Sequence, residues 1–181
     1  MRAFIAIELP KDLKNKLHDF QNELKKLDII EGNWTKEYHL TLKFLGEVNE
    51  SKIKDVEKVL MDLAGKTKKF ELSLRGISGF PSTDYVRVLW LGLGTGDEEA
   101  FVLHEGIDDS LANMGFGKEK RYENHITLCR VKKVSDKAKL KEIFKAKTEF
   151  GKFEVSDIKL IKSYLTKKGP VYDVLKTFKF A

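Results

Sequence analysis

The sequence predicts an α+β protein: a duplicated two-lobed domain in which antiparallel sheets line a central cleft and helices pack outside them. Three observations predict this fold class. The segment HLTL at 39–42 recurs as HITL at 125–128, 86 positions later. Both halves of the chain alternate strand-like and helix-like hydrophobic periodicity. Neither half carries enough helix to cover both faces of its own sheet, so we expect the halves to pack together.

We expect one domain over residues 1–181, built from two repeats, 1–85 and 86–181, that exchange strands and are related by a pseudo-two-fold axis. The correspondence extends beyond the repeated tetrapeptide, because Asn49 and Ser135 each precede a Lys-rich amphipathic segment. Either residue is a favourable helix N-cap. The axis would bring the two His-x-Thr strands to one shared cleft.

The predicted elements of the first half are a strand at 3–9, a helix at 11–27, a strand at 39–45, a helix at 50–64, and strands at 70–77 and 85–93. The first strand is a short apolar run. Apolar residues spaced by three and four define the inward face of each helix. The last two strands are joined by a loop that contains Gly79 and Pro81.

The second half repeats this order, with a helix at 97–114, a strand at 124–131, a helix at 136–147, and a final strand pair at 153–163 and 171–180. Ala100, Ile107 and Leu111 form an apolar stripe on the first of these helices. His104 falls on that stripe, which favours a packed, hydrogen-bonded core histidine. The remaining histidine outside the motifs, His18, is expected to be solvated.

Composition excludes several classes of protein. No apolar run approaches the ~20 residues that span a bilayer, and the apolar stretch near the N-terminus is too short for a secretory signal. The single cysteine, Cys129, excludes an internal disulfide framework and a Cys-rich zinc site, so we expect a cytoplasmic protein. The net charge of +6 permits an anionic ligand without locating one. Abundant Lys and Glu beside a single Gln, Gln21, are typical of proteins that work at high temperature.

The two His-x-Thr motifs present a coherent set of polar side chains. Because side chains alternate along a strand, His39 and Thr41 face one side, and so do His125 and Thr127. One neutral imidazole can take a proton from attacking water, while the other, as imidazolium, can protonate a leaving alkoxide. The threonine hydroxyls can donate to non-bridging phosphate oxygens. This set suits phosphodiester chemistry without a metal, and no HxH or HExxH spacing indicates a metal site.

Strict alternation also places Cys129 on the face of His125, with Lys43 at the equivalent place in the first half. A Cys/His nucleophile pair is disfavoured, because four strand residues separate the two side chains by roughly 13 Å. We expect Cys129 to act as a buried small hydrophobic residue.

These motifs resemble the signature of the 2H phosphoesterases and, more narrowly, the LigT-like RNA 2′,3′-cyclic phosphodiesterases also called 2′-5′ RNA ligases. The resemblance covers nearly the whole chain, from RAFIAIELP at the start through HLTLKFLGE at 39–47 and HITLCR at 125–130 to the last strands. Two departures lie beside the histidines. Asn124 stands where the family often has Pro, and Tyr38 stands where Asn is frequent, but neither position supplies a catalytic side chain.

The resemblance implies an enzyme that opens a 2′,3′-cyclic phosphate at an RNA end to give a 2′-phosphate. It implies that His39 is the acid that protonates the departing 3′ oxygen and that His125 is the base that activates water. Thr41 and Thr127 match the phosphate-binding hydroxyls. An RNA 5′-hydroxyl in place of water would give a 2′-5′ linkage. The implied partners are RNAs with cyclic phosphate ends, tRNA halves among them, and the implied enzyme is a monomer that needs no metal, ATP or membrane.

Phe44 and Arg130 occupy equivalent positions after the two motifs, again 86 apart. Phe44 is a candidate to stack on the terminal base, and Arg130 is a candidate to pair with phosphate oxygens. Strict alternation, however, places both side chains on the face opposite the histidines. They reach the cleft only where the strand bulges or ends, and otherwise Phe44 is a core aromatic.

Two alternatives remain open at the level of sequence. An RNA-binding module that has lost catalysis would also use basic charge and exposed aromatic residues, although intact His and Thr in both motifs favour an enzyme. A 2H phosphodiesterase acting on 2′-5′ oligoadenylate or a cyclic ADP-ribose phosphate would carry the same motifs.

Overall fold

A computed structural model describes residues 1–181 as nine strands and four helices, and it confirms the predicted α+β class. The strands are β1 (Arg2–Glu8), β2 (Ile30–Trp34), β3 (His39–Glu47), β4 (Phe70–Pro81), β5 (Val86–Leu93), β6 (Ile126–Val134), β7 (Glu149–Val155), β8 (Asp157–Thr166) and β9 (Gly169–Lys179). The helices are α1 (Lys11–Lys26), α2 (Glu50–Lys66), α3 (Asp97–Ala112) and α4 (Lys137–Lys145).

The strands form two antiparallel sheets, one in each lobe. The first sheet has the order β3-β1-β8-β9 and the second has the order β2-β6-β5-β4-β7. The β8–β9 hairpin joins β1 and β3 in the first sheet, because residues 2–6 of β1 pair with residues 159–163 of β8. In the other sheet, β2 pairs along β6. Each sheet therefore combines strands that are distant in the chain.

The helices pack on these sheets through apolar faces. Helices α2 and α3 contact the first sheet, whereas α1 and α4 contact the second. In α2 the inward residues Ile53, Val56 and Leu60 are buried, and the Asn49 side chain accepts a hydrogen bond from the Lys52 N–H at 2.8 Å, as predicted for an N-cap.

The cap of α4 is Asp136 rather than Ser135, since its carboxylate accepts from the Lys139 N–H at 3.0 Å. The four helices lack the combination of length and apolar character that crossing a bilayer requires.

One strand prediction was wrong, and one strand was not predicted. Residues 153–163 belong to two strands rather than one, because β7 pairs with β4 and β8 pairs with β1. The buried residues Val155 and Ile158 are an odd number of positions apart, which breaks a period of two and marks the switch between sheets. Strand β2 was missed because its sequence, IEGNW, has little hydrophobic alternation. Its Gly32 approaches β6 so closely that a Cβ atom there would clash with the Arg130 carbonyl oxygen.

Candidate active site

His39 and Thr41 lie at the start of β3, the edge strand of the first sheet. Their side chains are half-buried on one face, while Leu40 between them is fully buried on the other. The His39 ring packs edge-on against Phe4, with centroids 5.6 Å apart, and against Tyr172, with centroids 5.0 Å apart. Apolar walls therefore enclose this imidazole on two sides.

His125 immediately precedes β6, and Thr127 lies in that strand opposite Trp90 of β5. The His125 ring packs edge-on against Phe80 at 5.0 Å and lies 6.2 Å from the Trp90 ring, centroid to centroid. Its Nδ1 is 2.8 Å from the backbone carbonyl oxygen of Glu123. A carbonyl only accepts, so Nδ1 carries a hydrogen, and Nε2 is the nitrogen that remains for a substrate.

Each motif histidine is thus flanked by two aromatic rings. None of these four aromatic residues was predicted to belong to the site. Phe4 and Trp90 are themselves 86 positions apart, so the repeat offset was a signal that could have found this pair. Tyr172 and Phe80 have no aromatic residue at the corresponding offset. They reach the histidines only through sheet pairing, which no local pattern indicates.

A β-bulge interrupts each motif strand at the same repeat position. In β3 the pairing with β1 passes from Thr41 directly to Lys43, which makes Leu42 the extra residue. In β6 the pairing with β5 skips Leu128 in the same way. An extra residue reverses the alternation of side chains beyond it, so the residues after each bulge change faces.

The bulges turn Phe44 and Arg130 toward the histidines. Phe44 is 65% exposed, and its ring centroid lies 5.9 Å from that of Phe4, the ring that also contacts His39. Arg130 is exposed as well and is close enough to Tyr172 to oppose the effect of burial, which raises the pKa of that hydroxyl. The condition stated for these two candidates, a bulge in the strand, is met in both strands, whereas the alternative of a core aromatic at Phe44 was wrong.

Lys43 and Cys129 turn the other way, into the interior. Lys43 is 2% exposed, forms an ion pair with Asp108 and also donates to the Gly117 carbonyl. Cys129 is fully buried, and burial raises the pKa of its thiol to about 11. The predicted common face of Cys129 and His125 was therefore wrong, whereas the prediction of a buried small hydrophobic residue is confirmed.

Backbone carbonyls of both motif strands accept hydrogen bonds from residues of the other repeat. The Tyr122 hydroxyl donates to the Thr41 carbonyl oxygen at 3.0 Å, and the Asn124 side-chain oxygen lies 2.9 Å from the same hydroxyl. In the second sheet, the Thr35 N–H donates to the Leu128 carbonyl oxygen at 2.9 Å. These bonds connect the strand of the first motif to the residues that lead into the second.

His39 has a strongly lowered pKa. Burial disfavours its imidazolium form, and together with the nearby Lys14 ammonium it lowers the pKa to about 4, against the opposing charge of Glu8. Lys14 and Glu8 are themselves bonded at 3.0 Å. His39 is therefore neutral at neutral pH in the free protein, and a bound anion would favour its protonated form.

The other two histidines, His18 and His104, each pack against a tyrosine ring. His104 is 3% exposed, and its Nδ1 donates to the Leu42 carbonyl oxygen at 2.7 Å, which confirms a packed core histidine. The prediction for His18 was wrong, because its half-buried ring packs on Tyr38 with centroids 4.8 Å apart.

His, Cys, Asp and Glu side chains form no group of three or more that could hold a metal. A cavity of about 600 Å³ beside Trp90, Tyr122 and Asn124 is lined by neither motif histidine.

Two sheets that each carry a His-x-Thr strand define a protein of the 2H phosphoesterase class. The family model described as LigT like Phosphoesterase matches residues 7–90 and 93–172, which is most of the chain. The chain therefore belongs to the LigT-like phosphoesterase family, and it is an enzyme of the hydrolase class.

Relatives agree with this membership over their full lengths. A Methanocaldococcus jannaschii protein named RNA 2′,3′-cyclic phosphodiesterase is 38% identical, covering 97% of this chain and 99% of the relative. A Methanothermobacter thermautotrophicus protein of the same name is 35% identical, covering 99% and 98%. A crystal structure of a Thermus thermophilus protein matches with a TM-score of 0.80 and 29% identity, covering 99% and 98%. Escherichia coli LigT, complexed with 3′-AMP, shares the fold with a TM-score of 0.78 at 24% identity, covering 99% and 98%.

Proposed function

We propose that this enzyme hydrolyses the 2′,3′-cyclic phosphate ends of RNA to 2′-phosphates, without a metal, through general acid–base catalysis by His39 and His125. The observation that carries the proposal is the pair of bulged His-x-Thr strands, which give each lobe an imidazole, a hydroxyl and an exposed Phe44 or Arg130 on the same face. The relatives named RNA 2′,3′-cyclic phosphodiesterase, aligned over nearly their whole lengths, support the choice of substrate.

In the proposed step, a water oxygen bonds to phosphorus while the bond from phosphorus to the 3′ oxygen breaks. His125 takes the proton of the water at Nε2, and His39 gives its own proton to the departing 3′ oxygen. The products are a 2′-phosphate and a free 3′-hydroxyl. The strained cyclic ester supplies the driving force, and proton exchange with solvent returns the two imidazoles to their starting forms, so no cofactor enters the balance.

His39 needs its proton in the substrate complex rather than in the free protein. A cyclic phosphate carries one negative charge, and an opposite charge within about 4–6 Å favours imidazolium. We infer that the substrate itself raises the pKa of His39 from about 4 in the free protein. The apolar walls formed by Phe4 and Tyr172 strengthen this effect, because they keep water from screening the attraction.

The remaining residues of the proposed site bind the substrate. The Thr41 and Thr127 hydroxyls donate to the non-bridging phosphate oxygens, where negative charge concentrates in the transition state. The Arg130 guanidinium pairs with phosphate oxygens. Phe44 offers an exposed ring to the terminal base, a contact that tolerates any base because every base has a π-face.

A second RNA end can replace water in the same geometry. Its 5′-hydroxyl oxygen bonds to phosphorus while the bond from phosphorus to the 3′ oxygen breaks. His125 takes the hydroxyl proton, His39 protonates the departing 3′ oxygen, and a 2′-5′ phosphodiester forms. RNA halves that carry a cyclic phosphate on one piece and a 5′-hydroxyl on the other, as cleaved tRNAs do, belong to this substrate class. We propose that the enzyme acts on them as a cytoplasmic monomer.

The test is an assay in excess chelator, with an RNA that ends in 2′,3′-cyclic phosphate and detection of the phosphate ester by ³¹P NMR. We expect conversion to the 2′-phosphate, with loss of activity in His39→Ala and in His125→Ala. His18→Ala is the matched control, since it makes the same substitution on α1, and its activity should equal that of the wild type.

Three results would contradict the proposal, each in a different part. A requirement for added metal would contradict the two-histidine mechanism. Binding of RNA without turnover would indicate a non-catalytic RNA-binding module. Turnover of 2′-5′ oligoadenylate or a cyclic ADP-ribose phosphate, with RNA ends left intact, would keep the mechanism and overturn the substrate.

A further inference from the structure

A chain of hydrogen bonds behind the cleft begins at the bulge of β3. The Leu42 carbonyl oxygen accepts from His104 Nδ1 at 2.7 Å, and the Thr41 carbonyl oxygen accepts from the Tyr122 hydroxyl at 3.0 Å. The His104 and Tyr122 rings stack with centroids 3.5 Å apart and planes inclined by 8°. Two neighbouring carbonyls of the first motif are therefore held by one stacked pair of rings from the second repeat.

This series of hydrogen bonds continues to Asn124, the residue before His125. The Tyr122 hydroxyl lies 2.9 Å from Asn124 Oδ1, and Asn124 Nδ2 donates to the carbonyl oxygen and the carboxylate of Asp97 at 2.8 and 2.9 Å. Because both contacts of Nδ2 are acceptors, the amide orientation is fixed, and Oδ1 faces the tyrosine. The backbone carbonyl oxygen of Glu123, the residue between Tyr122 and Asn124, accepts a hydrogen bond from His125 Nδ1.

The Tyr122 hydroxyl has one hydrogen and two acceptors, the Thr41 carbonyl and Asn124 Oδ1. Burial raises the pKa of Tyr122, and the charges of Glu119 and Asp97 act in the same direction, so the hydroxyl keeps that hydrogen. The hydrogen is therefore shared between a motif residue of β3 and the residue that leads into the second motif.

We propose that Tyr122 is a positioning residue that sets the placement of His125 relative to Thr41 during the reaction. The proposal rests on the catalytic role given to His125 above. Asn124, one of the two departures beside the motif histidines, makes the coupling possible because its side chain supplies the second acceptor. A proline at that position has no such acceptor.

The test is Tyr122→Phe, which keeps the ring stacked on His104 and removes only the hydroxyl. We expect kcat for the cyclic phosphate to fall about tenfold with KM changed less than twofold, since phosphate-binding side chains are untouched while the attacking geometry is relaxed. The matched control is Tyr164→Phe, which also removes a bonded hydroxyl, 2.8 Å from the Asp173 carboxylate on the β8–β9 hairpin. Its kcat and KM should equal those of the wild type.

A spectroscopic readout separates positioning from general stability. We expect the imidazole NMR signals of His125 to shift in Tyr122→Phe and to stay unchanged in Tyr164→Phe. If Tyr122→Phe does not fold, Asn124→Ala, which removes the second acceptor together with the two Nδ2 bonds to Asp97, should show the same loss of kcat at unchanged KM.

Wild-type kcat in the folded variant would overturn the positioning role, and so would a raised KM at unchanged kcat. Activity retained in His125→Ala would instead overturn the proposed function, so the two failures are distinguishable.

Discussion

Leu42 and Leu128 are equivalent bulge residues, and each offers its carbonyl oxygen to a donor from the opposite repeat. Leu42 accepts from His104 Nδ1 at 2.7 Å, and Leu128 accepts from the Thr35 N–H at 2.9 Å. Each repeat therefore stabilises the irregularity in the motif strand of the other. Because the bulges decide which side chains follow the histidines into the cleft, this reciprocal bonding shapes both halves of the site.

Phe44→Ala is predicted to weaken substrate binding rather than chemistry. Base–aromatic stacking is worth about 1–3 kcal/mol per base, so KM for a dinucleotide with a cyclic phosphate end should rise about tenfold at nearly constant kcat. Steady-state kinetics measures the two constants separately. Met61→Ala, which removes an exposed apolar side chain from α2, should leave both unchanged. A fall in kcat alone for Phe44→Ala would contradict stacking as its role.

Ligand binding is predicted to raise the pKa of His39. In the free protein burial lowers that pKa to about 4, and the dianion of a nucleoside 2′-phosphate placed beside the ring would offset this cost. An NMR titration of the His39 ring with and without the nucleotide measures the change. The same pKa in both titrations would mean that the phosphate does not bind next to His39.

The free energy of unfolding is predicted to decrease as pH falls, because the pKa of His39 is lower in the folded protein than in the unfolded chain. The pKa of this side chain is 6.5 when unperturbed and about 4 when folded, so the unfolded chain binds more protons between these values. The contribution is fully present above about pH 6.5 and is lost as pH falls toward 4.

Urea unfolding at pH 7.5 and pH 4.5 measures this contribution. Between these two pH values the wild type should lose about 2 kcal/mol more of its unfolding free energy than His39→Asn loses. Equal losses in the two proteins would show that His39 is not buried as described.

Loss of the ion pair between Lys43 and Asp108 is predicted to lower the free energy of unfolding. Both side chains are buried, so Lys43→Met would leave an unpaired carboxylate in the interior and should cost about 3 kcal/mol of unfolding free energy. The matched control is Lys66→Met, which breaks the exposed pair with Asp62 and should cost less than about 0.5 kcal/mol.

A double variant tests the cause of that loss. Lys43→Met combined with Asp108→Leu removes both charges and should recover part of the stability. A double variant less stable than Lys43→Met alone would show that packing, rather than the unpaired charge, accounts for the effect.

The repeated motif was predictable because chemistry and spacing coincide in it. His39 and His125 share neighbours, offset and strand context, and helical periodicity gave the four helices close to their observed bounds. The strand faces on which the Phe44 and Arg130 side chains lie were not predictable. A bulge depends on hydrogen-bond donors that are distant in the sequence. The donor for the bulge of β3 is His104, which looks like an ordinary core residue in the sequence.

The pairing of β1 with β8 has a consequence for biosynthesis. Residues 2–6 are made well before their partners at 159–163, because the two segments are far apart in the sequence. One edge of β1 therefore has no strand partner until β8 has been made. Such long-range closure slows folding, so the nascent chain depends on the β8–β9 hairpin to pair the free edge of the strand that lies beside the first His-x-Thr motif.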